Sequence, residues 1–197
     1  MTLMRFEDPS CVFIRVRKTG STSIVRGLLG GVGNTAEMVT GAPFPPQWDG
    51  LFTFAFVRNP FERLVSCLAM FRSHPVETEA EADLRKRLDL HTLLDVVEDD
   101  AIDFTGPDYR SKMRLHALPM SHPSYHLDRA DFVGRFESFD DDYLRVAARL
   151  GRSGAEVPHH RQGPAERDYR PQFDAALRGR AEEVFAEDLQ RFGYSFG

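Results

Sequence analysis

A lysine, a glycine and several small hydroxyl residues stand together near the start of the chain, a combination suited to binding an anion. The run comprises Arg17, Lys18, Thr19, Gly20, Ser21, Thr22 and Ser23. Apolar residues 11–14 precede it and residues 24–29 follow it, which predicts a strand, a tight turn and a helix. The first N–H groups of a helix have no partner within the helix, and the helix dipole adds positive charge there. We therefore expect residues 17–23 to bind a nucleotide-like anion.

The order of lysine and glycine excludes the usual phosphate loop of nucleoside triphosphatases. That loop needs the pattern Gly-x-x-x-x-Gly-Lys-Ser/Thr, whereas Lys18 precedes Gly20 and no second glycine lies upstream. A purely structural interpretation also accounts for this segment, with Gly20 in a turn and Ser21 as a helix N-cap. A second motif favours the binding interpretation.

This second motif is another predicted strand-to-helix junction. Residues 51–57 form a continuous apolar run typical of a buried strand, and Asn59 and Pro60 predict the N-terminus of a helix. Ser66 follows Asn59 by about two helical turns, so we expect it on the same face, within reach of Arg58. A guanidinium, a hydroxyl and a helix N-terminus suit a phosphate monoester. The alternative is that Arg58 pairs with a surface carboxylate and Ser66 faces solvent.

Two such sites on one chain predict a nucleoside with phosphates at both ends. Residues 17–23 resemble the 5′-phosphosulfate loop, and residues 56–66 the 3′-phosphate motif, of sulfotransferases that use 3′-phosphoadenosine-5′-phosphosulfate (PAPS). The second motif is similar to that of the carbohydrate branch, which includes the chondroitin and heparan sulfate enzymes. Residues 131–139 and 188–194 resemble later parts of that branch, whereas residues 73–129 match no known motif.

Strands that lead directly into helices predict an α/β fold with a mostly parallel central sheet flanked by helices. The resemblance adds the topology, a three-layer P-loop-like fold of four or five strands, and we expect residues 1–197 to form one sulfotransferase domain. PAPS would donate its sulfuryl group to a hydroxyl, with no metal. Lys18 would neutralise the leaving phosphate, residues 17–23 would bind the 5′-phosphate, and Arg58 and Ser66 the 3′-phosphate.

The general base is the least determined residue. Many relatives carry a Gly-His pair between the two motifs, but residues 41–44 read Gly-Ala-Pro-Phe here. Glu37 and Asp49 are the only carboxylates between the helix after the first motif and Arg58, and Glu37 is our first candidate. Trp48 could stack on a sugar or on adenine, or belong to the core. The alternative bases, or acceptor contacts, are His116, His122, His126, His159 and His160.

Composition agrees with this interpretation. A chain of 197 residues with 42% hydrophobic residues can bury one sizeable core, and a net charge of −5 gives no reason to expect nucleic-acid binding. Cys11 and Cys67 lack metal or redox spacing, so we expect two buried free thiols. No run approaches the roughly 18 apolar residues of a membrane helix. We therefore expect a soluble, cytoplasmic protein, more similar to bacterial members of the family than to its Golgi-anchored animal members.

The rest of the chain gives weaker signals. Residues 32–50 contain three prolines and predict an irregular, functional connection, and residues 79–100 predict one or two surface helices. We expect a strand over residues 131–136, then a helix ending at Gly151, and a final helix from Pro171 that packs on the sheet.

Two other functions stay open. One is a catalytically inactive protein that binds PAPS or its product. The other is a small-molecule kinase, which the absent triphosphatase pattern and the missing Mg²⁺-binding aspartate after a strand both disfavour.

Overall fold

A computed structural model describes residues 2–157 and 168–197 of the chain. Two compact units are present. One comprises the described residues of Met1–Arg58 and His122–Glu166, and the other those of Asn59–Ser121 and Arg167–Gly197. Each unit is assembled from two separate stretches of sequence. Whether they make the single domain expected from the sequence stays a prediction.

The first unit contains a sheet of five strands in the order β3-β1-β2-β4-β5. Strands β2, β4 and β5 are parallel neighbours, whereas β1 is antiparallel to both β2 and β3. Four strands therefore point the same way and β1 opposes them, which confirms a mixed α/β fold with a mostly parallel sheet. The P-loop-like assignment stays a prediction. The strands are β1 (Thr2–Glu7), β2 (Ser10–Arg15), β3 (Thr35–Thr40), β4 (Thr53–Val57) and β5 (Phe132–Arg135).

One face of this sheet is covered by two helical segments of the same unit. The first is α1 (Ser21–Ser23), which continues as a π-helical turn (Ile24–Leu28), and the second is α6 (Phe139–Arg149). Side chains alternate between the faces of a strand, so every second strand residue contributes to this core. The strand residues that do so include Met4, Phe6, Cys11, Phe13, Phe54 and Phe56.

The predicted irregular connection over residues 32–50 is wrong in part, because it contains β3. All but two of the residues of Thr35–Thr40 are exposed, so the segment shows none of the apolar alternation by which strands are predicted. Its strand conformation comes from antiparallel pairing with β1 instead. Strand β1 was likewise not predicted.

The second unit is helical. Asn59 caps α2 as predicted, because its Oδ1 accepts a hydrogen bond from the Phe61 N–H at 3.0 Å, and Pro60 is the first helical residue. Leu64 and Phe71 are buried in the core of this unit. The helices are α2 (Pro60–Ser73), α3 (Glu79–Arg87), α4 (Leu90–Glu98), α5 (Tyr109–Ala117), α7 (Ala175–Val184) and α8 (Ala186–Phe192).

The helix predicted to begin at Pro171 is divided into α7 and α8, and α7 differs from the prediction in its start and its packing partners. It begins at Ala175, after a 3-10 turn (Arg170–Gln172), because Asp174 accepts a hydrogen bond from the Leu177 N–H at 2.8 Å. Leu177 and Ala181 share a buried cluster with α2, α4 and α5, whereas the sequence predicted packing on the sheet.

Both cysteines are buried free thiols, which confirms that prediction. Burial raises the pKa of Cys11 to about 12. In the part of the chain that the structure describes, none of the helices combines the length and apolar character that crossing a bilayer requires.

Two glycine substitutions should have opposite effects. In Gly134→Ala the new Cβ would lie 2.7 Å from Cε1 of Phe56 on the neighbouring strand, so we expect a loss of about 1–3 kcal/mol of unfolding free energy. Gly179→Ala, inside α7 with open space around it, should add about 0.5–1 kcal/mol through helix propensity. Urea denaturation measures both. Equal effects would show that the contact with Phe56 does not limit position 134.

Candidate active site

The loop between β2 and α1 has the predicted strand-turn-helix geometry. Lys18 and Gly20 both have left-handed backbones, with φ of 67° and 82°. The Gly20 carbonyl accepts hydrogen bonds from the N–H groups of Ser23 (2.9 Å) and Ile24 (3.2 Å), and Thr19 Oγ1 donates to the Val16 carbonyl at 3.0 Å. Gly20, rather than Ser21, is the N-cap, so no side chain caps this helix start. The purely structural role of Ser21 as a cap is therefore wrong.

Two arginines on either side of Val16 dominate the electrostatics of this loop. Arg15 Nε donates to Ser21 Oγ at 3.4 Å, and Arg17 Nη2 donates to Thr2 Oγ1 at 3.3 Å, while the buried Nε of Arg17 has no partner among the described residues. Burial, and secondly the charge of Arg17, lowers the pKa of Arg15 to about 10. Burial also lowers the pKa of Arg17, against a smaller opposing effect of Tyr125.

No carboxylate compensates these two charges within the described residues. Ion pairs join many other arginines to Asp or Glu side chains there, but none involves Arg15 or Arg17. A cation that leaves water without a counter-charge destabilises the folded state unless an anion compensates it. The electrostatics of the loop therefore suit a bound anion.

Arg58 also reaches this loop. Its Nη1 donates to the Lys18 carbonyl at 3.4 Å, and its guanidinium carbon lies 4.2 Å from the centre of the Phe136 ring. The hydrogen bond orients the guanidinium toward the loop. The Phe136 ring stabilises the same guanidinium by a cation–π interaction. Arg58 follows β4 directly and β4 is parallel to β2, so both segments leave the sheet at its carboxyl edge.

An aromatic side chain closes the loop from the other side. A Cβ on Gly20 would lie 2.6 Å from Cε2 of Phe139, at the start of α6. Phe139 in turn packs against Phe56 and Phe136, with ring centres 5.4 and 6.0 Å apart. Gly20 is therefore required both by its positive φ and by this close approach.

Ser66 lies in the second unit, half-buried on α2, and follows Asn59 by seven residues as predicted. Arg58 belongs to the first unit. Their joint action on a 3′-phosphate stays a prediction.

Glu37 lies in the middle of the edge strand β3, away from the carboxyl edge of the sheet. Its Oε1 accepts a hydrogen bond from Arg5 Nε at 2.7 Å, and the pair is opposite in the β1–β3 register. The carboxyl edge of the sheet is marked by Thr40, which pairs with Thr2, itself opposite Arg15. Glu37 is three residues short of that edge, or roughly 10 Å at about 3.3 Å per residue. This position does not bring Glu37 to Lys18.

Three other candidate residues from the sequence contact protein groups in the first unit. Asp49 pairs with Arg129 at 3.4 Å, and Trp48 is a core residue, 1% exposed. His126 Nε2 lies 3.1 Å from the carbonyl oxygen of Ala42, the alanine at the place of the expected histidine. His159 and His160 lie outside the described residues.

His116 and His122 have local partners. Nδ1 of His116 lies 2.8 Å from the Lys112 carbonyl oxygen on α5, and Nδ1 of His122 lies 2.7 Å from Ser124 Oγ. Across residues 2–157 and 168–197, no cluster of three or more His, Cys, Asp or Glu side chains could hold a metal ion.

Sequence reasoning missed two residues of this site. Arg15 ends a strand, where an arginine usually faces solvent, and only the short spacing to Arg17 and Lys18 could have indicated it. Phe139 is remote in sequence from Gly20, so the resemblance of residues 131–139 gave it no role at this loop. His126 was among the candidate bases, but its contact with Ala42 was not predicted.

Replacing Arg15 by an uncharged residue should change both the stability of the free protein and its affinity for anions. Burial lowers the pKa of Arg15 to about 10, so the unfolded chain holds this proton more tightly than the folded chain, and at neutral pH the charged side chain destabilises the folded state. Arg15→Met should raise the unfolding midpoint of the free protein and weaken binding of pyrophosphate by about 1.5–3 kcal/mol. Thermal unfolding with and without pyrophosphate measures both, with the exposed Arg26→Met as control. A lower midpoint with unchanged pyrophosphate binding would contradict the assignment.

Comparison with known proteins identifies the family to which the chain belongs. The model of the sulfotransferase family matches residues 34–195, a range that contains Arg58 and Ser66 and begins after the loop of residues 17–23. Searches of curated proteins and of solved structures gave no significant match. Because the family model covers most of the chain, and the mixed α/β fold is compatible with it, the chain belongs to the sulfotransferase family, whose transferases move sulfuryl groups to hydroxyl-bearing acceptors.

Proposed function

We propose that this protein is a PAPS-dependent O-sulfotransferase. The observation that carries the proposal is the pair Arg15 and Arg17, whose charges no carboxylate compensates within the described residues, beside an uncapped helix start. A loop with this charge attracts a dianion, such as a phosphate monoester or the mixed anhydride of a phosphosulfate. Family membership then favours sulfuryl transfer over other anion chemistry.

The proposed reaction follows from where charge develops. The acceptor oxygen attacks sulfur in line while the bond to the bridging phosphate oxygen breaks, so negative charge grows on the leaving phosphate. In this proposal Lys18 neutralises that charge, and Arg15 and Arg17 hold the phosphosulfate. Those N–H groups and hydroxyls of residues 19–23 that do not already donate within the loop bind the 5′-phosphate. Arg58 and Ser66 bind the 3′-phosphate, which is supported by the spacing of residues 56–66.

The acceptor in this proposal is a carbohydrate hydroxyl, supported by the similarity of residues 56–66 to the carbohydrate branch. Glu37 as general base stays a prediction, and its pairing with Arg5 does not favour it. No described feature favours the inactive protein or the kinase over the transferase, and the ligand experiment below separates the kinase from the other two.

The 3′-phosphate should decide ligand affinity. We expect 3′-phosphoadenosine-5′-phosphate to bind more tightly than adenosine 5′-phosphate, because losing charge-assisted contacts to the 3′-phosphate removes about 1.5–3 kcal/mol. Calorimetry and thermal stabilisation measure the two affinities. The affinity for ATP with Mg²⁺ is measured alongside, because a kinase would bind this ligand more tightly than the bisphosphate. Equal affinity for the mono- and bisphosphate would refute the 3′-phosphate motif.

Lys18→Ala should lower the turnover number far more than it weakens product binding, because its charge matters most while the bridging oxygen leaves. Transfer from labelled PAPS to desulfated chondroitin and desulfated heparin measures turnover, and calorimetry with 3′-phosphoadenosine-5′-phosphate measures binding. Lys86→Ala, which removes an exposed lysine of α3 paired with Asp83, is the matched control. If only the Michaelis constant rises, Lys18 merely anchors the donor.

A further inference from the structure

We propose that His126 is the general base that takes the proton of the acceptor hydroxyl, a role that rests on the sulfotransferase function proposed above. Within the described residues, Lys18 and His126 are the two non-glycine residues with positive φ, 67° and 55°. Such backbones are uncommon outside glycine and concentrate at functional sites, where the surrounding structure holds the strain. One of the two is already the proposed charge-neutralising residue.

The contacts of the His126 ring select one tautomer. Its Nε2 lies 3.1 Å from the Ala42 carbonyl oxygen, and a carbonyl can only accept a hydrogen bond. Nε2 therefore carries the hydrogen, and in the neutral ring Nδ1 keeps its lone pair as the basic atom. An edge contact with Phe44, with ring centres 6.3 Å apart, further restricts the ring. The residue is half-buried, so a ligand can reach it.

The register of the sheet places His126 at the same edge as the anion loop. Ala42 follows Thr40, which pairs with Thr2, which pairs with Arg15. Neighbouring strands lie about 4.8 Å apart, so the ends of β2 and β3 are separated by roughly 10 Å across the intervening strand. A donor phosphosulfate and an acceptor hydroxyl fit within such a distance.

Hydrogen bonds run along this edge. Arg17 Nη2 donates to Thr2 Oγ1 at 3.3 Å, and Thr2 Oγ1 lies 3.3 Å from Thr40 Oγ1. Tyr125, directly before His126, is close enough to Arg17 to raise its pKa against the lowering effect of burial. The segment that carries His126 therefore approaches the loop that would bind the donor.

The charged groups around His126 pair with one another. Arg129 lies 3.4 Å from Asp49 and 3.9 Å from Asp128, and its guanidinium carbon is 5.6 Å from the centre of the Phe44 ring. These contacts fasten residues 42–49 to the segment of His126. Among the described residues, Asp49 and Asp128 pair with Arg129, and neither forms an ion pair with the imidazole of His126.

The proposed step transfers one proton and one sulfuryl group. His126 Nδ1 takes the proton from the acceptor hydroxyl as its oxygen forms a bond to sulfur. The bond from sulfur to the bridging oxygen breaks, and its electron pair stays on the 5′-phosphate of the leaving 3′-phosphoadenosine-5′-phosphate beside Lys18. The products are the sulfate ester, the bisphosphate and a proton that Nδ1 passes to water.

The test uses two variants that keep the left-handed backbone, His126→Asn and His126→Gly. We expect each to lose roughly 10²–10⁴ in turnover, the usual contribution of a general base, and to keep thermal stabilisation by 3′-phosphoadenosine-5′-phosphate. Turnover is followed with labelled PAPS and desulfated chondroitin, desulfated heparin, 2-naphthol or water as acceptor. His91→Asn, which replaces an exposed histidine on α4, should leave turnover unchanged.

Two further readouts separate proton transfer from a structural role. Added imidazole should restore part of the activity of His126→Gly. The fall in wild-type turnover on the acid side, which protonation of a general base causes, should disappear in both variants.

Full turnover in His126→Asn and His126→Gly, or a loss confined to Glu37→Gln measured alongside, would overturn the role of His126 and leave the proposed function intact. A loss in His126→Gly that imidazole does not restore, with an unchanged pH profile, would show a structural role and also overturn it. A wild-type protein that neither binds the bisphosphate nor consumes PAPS would refute the proposed function itself, and the role of His126 with it.

Discussion

Two positive charges that have no counter-charge among residues 2–157 and 168–197, on Arg15 and Arg17, are the constraint around which the first unit is organised. The strand pairing of β2 brings both arginines to the carboxyl edge of the sheet, and the tight turn at Gly20 then places the start of α1 next to them. Each feature alone destabilises the free protein, because cations leave water and helix N–H groups stay uncapped. Together they form a surface whose electrostatics favour an anion, so binding of the proposed anion would offset the cost of holding these charges and N–H groups without partners.

The sheet topology explains why so many chemical groups meet at one edge. Strand β1 runs antiparallel between β3 and β2, so its beginning lies beside the ends of both neighbours. Thr2 therefore links Arg17 on one side to Thr40 on the other. A purely parallel sheet would bring only loop residues to this edge. Here the first residue of a strand connects the loop after β2 to the end of β3, which relates the proposed donor and acceptor positions through a regular element.

The parts predicted from sequence were those whose signals are local. The apolar run before Arg58, followed by Asn59 and Pro60, specifies a strand end and a helix cap without information from elsewhere in the chain. Strand β3 could not be predicted, because its exposed residues show no alternation and its conformation depends on pairing with β1. The contact of His126 with Ala42 joins positions 84 residues apart, and burial of Arg15 depends on the whole unit. Such properties arise from tertiary packing, which a linear pattern does not record.

The close approach of Gly20 and Phe139 has a consequence for sequence variation. One position holds the smallest residue because the other fills the space with an aromatic ring. A side chain at position 20 becomes sterically possible only when position 139 shrinks, and even then the positive φ at position 20 still favours glycine. The two positions therefore form an epistatic pair: a substitution at position 20 is tolerated only together with a substitution at position 139, at the start of α6.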